Sequence, residues 1–95
     1  MAPARIPGQL YDEKLLNAVY GHMRSYPASG FVPRDLARAL GQRGVDGGAQ
    51  VRIRAALRRL EASGVVACRT EPRRDGSVRT CDRWYLAGVL ALELV

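Results

Sequence analysis

Lysine is nearly missing from this 95-residue chain: Lys14 stands alone against fourteen arginines. Histidine occurs once, as His22, and cysteine twice, as Cys68 and Cys81. Two cysteines are too few for a disulfide framework, and with one histidine they fall short of the roughly four ligands of a structural zinc site. The expectation is a protein without metal or cofactor. No carboxylate pair and no nucleophile with a neighbouring base is placed together by spacing, so an enzyme is not expected. The longest apolar stretch, residues 85–92, is far shorter than the roughly 20 residues that span a bilayer. Residues 1–8 lack the apolar centre of a signal peptide. A cytoplasmic protein without a membrane partner follows as the expectation.

The length allows one domain with one modest core, and no second core or large substrate cavity. Hydrophobic residues make up 47% of the chain, as in an ordinary globular protein. The charge is less ordinary, with 15 basic and 9 acidic side chains for a net +6. The isoelectric point lies near 10.2. A GC-rich genome favours Arg, Ala and Gly codons, but such a bias spreads charge evenly. Here residues 49–83 hold nine arginines against Glu61, Glu71, Asp75 and Asp82, which is +5 of the total +6. A field concentrated in this way attracts phosphate.

Residues 1–9, with Pro3, Pro7 and Gly8, read as an extended arm carrying Arg5. From residue 10 to 25 the period is helical. Leu15, Leu16, Val19 and Met23 form an apolar stripe, and Asp12 and Glu13 sit where the helix dipole favours acids. Phe31 and Val32 make a short step that suits one rung of a sheet. Pro33 opens a second helix with Leu36 and Leu40 inward, and Gly41 stops it. Residues 41–48 hold four glycines and read as a turn, with Asp46 placed to cap the next helix. Without a GK[ST] motif or a buried strand before it, this is no phosphate loop.

A third helix is expected over residues 49–63, ending at Gly64. On a helical wheel, Ala49, Ile53, Ala56, Leu57 and Leu60 share a stripe about 100° wide. Arg52, Arg54, Arg58 and Arg59 occupy the opposite arc, broken only by Val51 and Ala55, with Gln50 near the edge of the stripe. A merely solvated face mixes signs; this one is cationic. After Gly64 the period moves toward two, and residues 65–70 read as a strand. Residues 71–77, with Asp75-Gly76, read as a turn, and residues 78–86 as the returning strand with Trp84 and Leu86 inward. A register pairing residue 68 with 81 would set the two thiols opposite each other, and one shifted by two places would set them diagonal. Either would permit a redox switch, against the simpler account of two small side chains in a reducing cytosol. Residues 88–95 are apolar apart from Glu93 and suit helix or strand, as a cap on the core or as a homodimer contact.

The order helix, step, helix, turn, helix, strand, basic loop, strand resembles a winged helix-turn-helix domain. The segment FVPRDLARALG resembles the second helix of such domains, and AQVRIRAALRRLEASGVVAC their third helix running into the wing. The combination is common among bacterial transcription regulators and some replication or partition proteins. The resemblance covers residues 10–87 and implies an α+β fold of three helices and a C-terminal β-hairpin, flanked by the arm at 1–9 and the extension at 88–95.

It also implies a pose on double-stranded DNA, and with it a nucleoid-associated transcriptional regulator without a small-molecule effector. The third helix would enter the major groove, presenting Gln50 and Val51 from its first turn with Arg52, Arg54 and Ala55 toward base edges, while Arg58 and Arg59 meet phosphates. Arg73, Arg74 and Arg79 on the wing would follow the backbone or the minor groove, and Arg34 and Arg38 a second phosphate rail. The alternative implied by the same resemblance is a protein–protein or nucleoprotein-assembly module in replication, partition or conjugation, with non-specific DNA or RNA binding.

Overall fold

The computed structural model describes residues 10–42 and 48–88. They form a small α+β domain of three helices and a two-stranded antiparallel hairpin: α1 (Asp12–Ser25), α2 (Pro33–Ala39), α3 (Gly48–Ala62), β1 (Val66–Pro72) and β2 (Thr80–Leu86). The arm at 1–9, Asp46 as a cap and the extension beyond residue 88 lie outside the described residues.

The helical stripes read from the sequence are the core. Leu15, Val19 and Met23 of α1 are buried, as are Leu36 and Ala37 of α2 and Ala49, Ile53, Ala56, Leu57 and Leu60 of α3. Helix α3 packs on both other helices and on β1. Val66 and Trp84 close the core from the hairpin side.

Two helices end by the same device. At the end of α3 the Val65 amide donates to the Leu60 carbonyl (3.2 Å) and the Gly64 amide to Glu61 (2.9 Å), with Gly64 at φ 80°. At the end of α2 the Gln42 amide donates to Ala37 (2.8 Å), with Gly41 at φ 63°. These bonds satisfy carbonyls that a helix end leaves orphaned, and they need a left-handed residue that glycine adopts without strain. The buried Gln42 side chain then accepts from the Leu10 amide (2.7 Å) and donates to the Leu40 carbonyl (3.0 Å), tying the lead-in of α1 to the exit of α2.

The expected single rung is present. Phe31 and Trp84 exchange backbone bonds of 2.9 and 2.8 Å, so β2 lies between β1 and one residue of the α1–α2 connection. That central position explains why Arg83, Trp84 and Tyr85 are all buried in succession.

The hairpin departs from expectation in extent and register. β1 runs on to Pro72, β2 starts only at Thr80, and Val78, expected in the strand, is fully exposed. The turn is longer than an Asp-Gly dipeptide needs because side chains build it. Asp75 Oδ1 accepts from the Ser77 amide (2.9 Å), Ser77 Oγ accepts from the Arg79 amide (3.0 Å), and the Arg73 amide closes the loop on the Arg79 carbonyl (3.0 Å). Such local bonds compete with the strand ladder.

The register pairs Cys68 with Trp84 and Cys81 with Glu71. Neither register considered for the cysteines occurs. Side chains alternate along a strand, so thiols three pairs apart stand on opposite faces of the hairpin and cannot bridge within one chain. Burial, then Asp82 and Glu61, push the Cys68 thiol above its ordinary range, with Arg58 opposing. It is a protonated, weakly nucleophilic thiol at neutral pH. Peroxide treatment is therefore expected to leave the monomer without an internal disulfide. A monomer lighter by a pair of hydrogens in mass spectrometry would contradict the register.

Candidate nucleic-acid interface

The cationic arc of α3 divides into two flanks. On one, Arg52 lies with its guanidinium 5.0 Å from the Tyr11 ring centroid, and Arg59 donates to Glu13 of α1 at 2.6 Å. On the other, Gln50 and Arg54 face the hairpin, and Arg58 stacks 5.6 Å from the Trp84 ring centroid with Glu61 3.7 Å away. Val51 and Ala55 sit exposed between the flanks.

The hairpin flank borders a groove of about 540 Å³. Gln50 and Arg54 form one wall, Arg73, Arg74 and Asp75 of the hairpin loop another, and Arg34 and Asp35 close the end at the start of α2. Trp84, Cys81, Asp82 and Arg83 contribute from β2. Of the expected site residues, the groove thus gathers Gln50, Arg54, Arg73, Arg74 and Arg34. Arg79 is exposed on the loop and Arg38 near the end of α2, both off the groove lining. Among the described residues, Arg34, Arg54, Arg73 and Arg79 take part in no ion pair.

Asp35, Asp75, Asp82 and the Arg83 contribution were not anticipated. The two residues from β2 needed the strand register, and Asp35 needed the packing of α2 against α3. Thr70 Oγ1 of β1 donates to Asp82 Oδ1 of β2 (2.9 Å), which ties that carboxylate across the hairpin to the neighbouring strand.

A polar cluster braces one face of the hairpin. Tyr85 Oη donates to Glu71 at 2.6 Å, while Arg83 Nε and Arg69 Nε lie 3.9 and 3.8 Å from the same carboxylate. Arg83 Nη1 donates to the Gly30 carbonyl (3.3 Å). Gly30 packs so closely that a Cβ there would stand 2.4 Å from Tyr85 Cζ. The loop that carries Arg73 and Arg74 is in this way anchored to the α1–α2 connection.

Burial, then its hydrogen bond to Glu71 and the Glu71 charge, raise the Tyr85 phenol above its ordinary value, against Arg74. The native state therefore keeps this proton where an unfolded tyrosine, near pH 10, has released it. Stability from Tyr85 is fully present below about pH 10 and is lost as pH rises through the folded value. Urea midpoints between about pH 8 and pH 11 should fall less steeply for Tyr85→Phe than for the parent chain. Parallel curves would contradict the role of the phenol.

Among the described residues, no group of three His, Cys, Asp or Glu side chains is placed to hold a metal ion. None of their helices is long and apolar enough to cross a membrane. Comparison of the chain with protein-family models, with curated proteins and with solved structures finds no match.

Proposed function

We propose that the chain is a winged helix-turn-helix domain that binds double-stranded DNA and acts as a transcriptional regulator. In this reading α3 lies in the major groove and the loop between β1 and β2 rests on the adjacent backbone or minor groove. The observation that carries the reading is the groove itself: arginines from α2, α3 and the hairpin loop converge on one concave surface. A phosphate strand is a polyanion of regular spacing and suits such a wall of guanidiniums, which donate in paired, planar fashion. Arg54 and Gln50 stand where a base edge would meet the helix, and Arg34, Arg73 and Arg74 where phosphates would flank it. The Glu71–Tyr85–Arg83 cluster supports the reading, because a hairpin held at a set distance from α3 can span the rim of a groove.

A mobility-shift titration of a mixed-sequence duplex tests the proposal. At about 50 mM salt, binding is expected at or below the ~10⁻⁴–10⁻⁶ M of non-specific contact. With about six phosphates neutralised, log K should fall against log salt with a slope near −5. Absence of binding at low salt overturns the proposal. A slope near zero overturns the electrostatic groove as its basis.

A further inference from the structure

The centre of the exposed α3 face is apolar where the flanks are charged. Val51 is 63% exposed, one of the few large hydrophobic side chains left in water among the described residues. Ala55 is exposed one helical turn further on. Arg52 is drawn aside to Tyr11 and Arg59 to Glu13, so neither covers this strip from the α1 side. Arg54 and Arg58 border it on the hairpin side.

Resting on the DNA-binding proposal above, we infer that Val51 and Ala55 read thymine, through its 5-methyl group in the major groove. Charge complementarity selects the occupant: an apolar strip edged by arginines fits an apolar group carried on a polyanion. In the major groove the thymine methyl is the one apolar group that a base pair presents. Cytosine carries only a hydrogen at C5, where thymine carries the methyl, and so leaves the strip without its apolar contact. The two side chains are four residues apart, about 6 Å along the helix at 1.5 Å per residue. That matches roughly two base steps of about 3.4 Å. The contacts therefore ask for two thymines within about two base-pair steps, on either strand. RNA cannot satisfy the strip, because uracil lacks the methyl and the A-form major groove is too narrow for a helix.

A random-sequence duplex library retained by the wild-type protein supplies the test. Retained duplexes should be enriched in such thymine pairs. Resynthesis with deoxyuridine at every thymine removes only the methyl groups. Burying one carbon group is worth about fourfold in affinity, so losing two should weaken binding by about tenfold or somewhat more. Val51→Ala, at an exposed helical position where folding is not at risk, should cut that thymine-to-deoxyuridine ratio to about fourfold. Equal affinity for the two duplexes, or retention without thymine enrichment, overturns the inference while leaving DNA binding intact. A ratio unchanged in Val51→Ala overturns the assignment to Val51. A library not retained at all takes the DNA proposal down with the inference.

Discussion

Replacing Arg54, Arg73 and Arg74 together by alanine is expected to weaken DNA binding by about two to three orders of magnitude. A base-contacting arginine contributes about 1–3 kcal/mol and a phosphate-contacting one reduces the salt slope by about one. With Arg73 and Arg74 on phosphates, the triple variant should therefore also flatten the dependence on salt by roughly two. All three side chains are exposed. Their removal should leave the melting temperature nearly unchanged, since surface substitutions fall within about ±0.5 kcal/mol. Arg59→Ala is the matching control. Its guanidinium already pairs with Glu13 on the α1 flank, with both side chains more than half exposed. The exchange should cost no more than about 1 kcal/mol in stability and little in affinity. If Arg59→Ala weakens binding as much as the triple variant, the division of α3 into two flanks is wrong.

The second large effect falls on the fold. Trp84→Ala should destabilise the domain by about 3–5 kcal/mol, the usual cost of deleting a large buried aromatic. Trp84 is 1% exposed, belongs to the core and forms the rung with Phe31. Its loss opens a cavity at the point where the hairpin, α3 and the α1–α2 connection meet. Against a total stability of about 5–14 kcal/mol for a domain of this size, that is a large fraction. At about 4–8 °C per kcal/mol, the melting temperature should drop by roughly 12–40 °C, read by far-ultraviolet circular dichroism. A drop under about 5 °C would mean that Trp84 is not the keystone of the hairpin.

How much of this was legible in the residues depends on the range of the interaction. Ile53, Ala56, Leu57 and Leu60 announced their burial through helical period alone, because that period is a local property. Gly41 and Gly64 marked the helix ends for the same reason. The single rung at Phe31 was visible as an apolar step between a turn and a helix-opening proline. The hairpin register was not. It depends on Asp75 and Ser77 turning their side chains back on the loop, and on Glu71 bonding to Tyr85 fourteen residues away. Gln42, which ties Leu10 to the end of α2, carries no periodic signal at all. The helical wheel separated the arginines of α3 from its core face. It could not say that Tyr11 and Glu13 would occupy one edge of that arc and the hairpin the other. The candidate site is thus half a local pattern and half a tertiary outcome, and the second half decides which arginines remain available to a ligand.

Backbone amide chemical shifts of the isotope-labelled protein, followed during titration with a short mixed-sequence duplex, test the central claim most directly. The account predicts changes at Gln50, Val51, Arg54, Ala55, Arg34 and the loop from Arg73 to Arg79, with the exposed turns of α1 unaffected. Changes centred on α1, or none at saturating duplex in low salt, would contradict it.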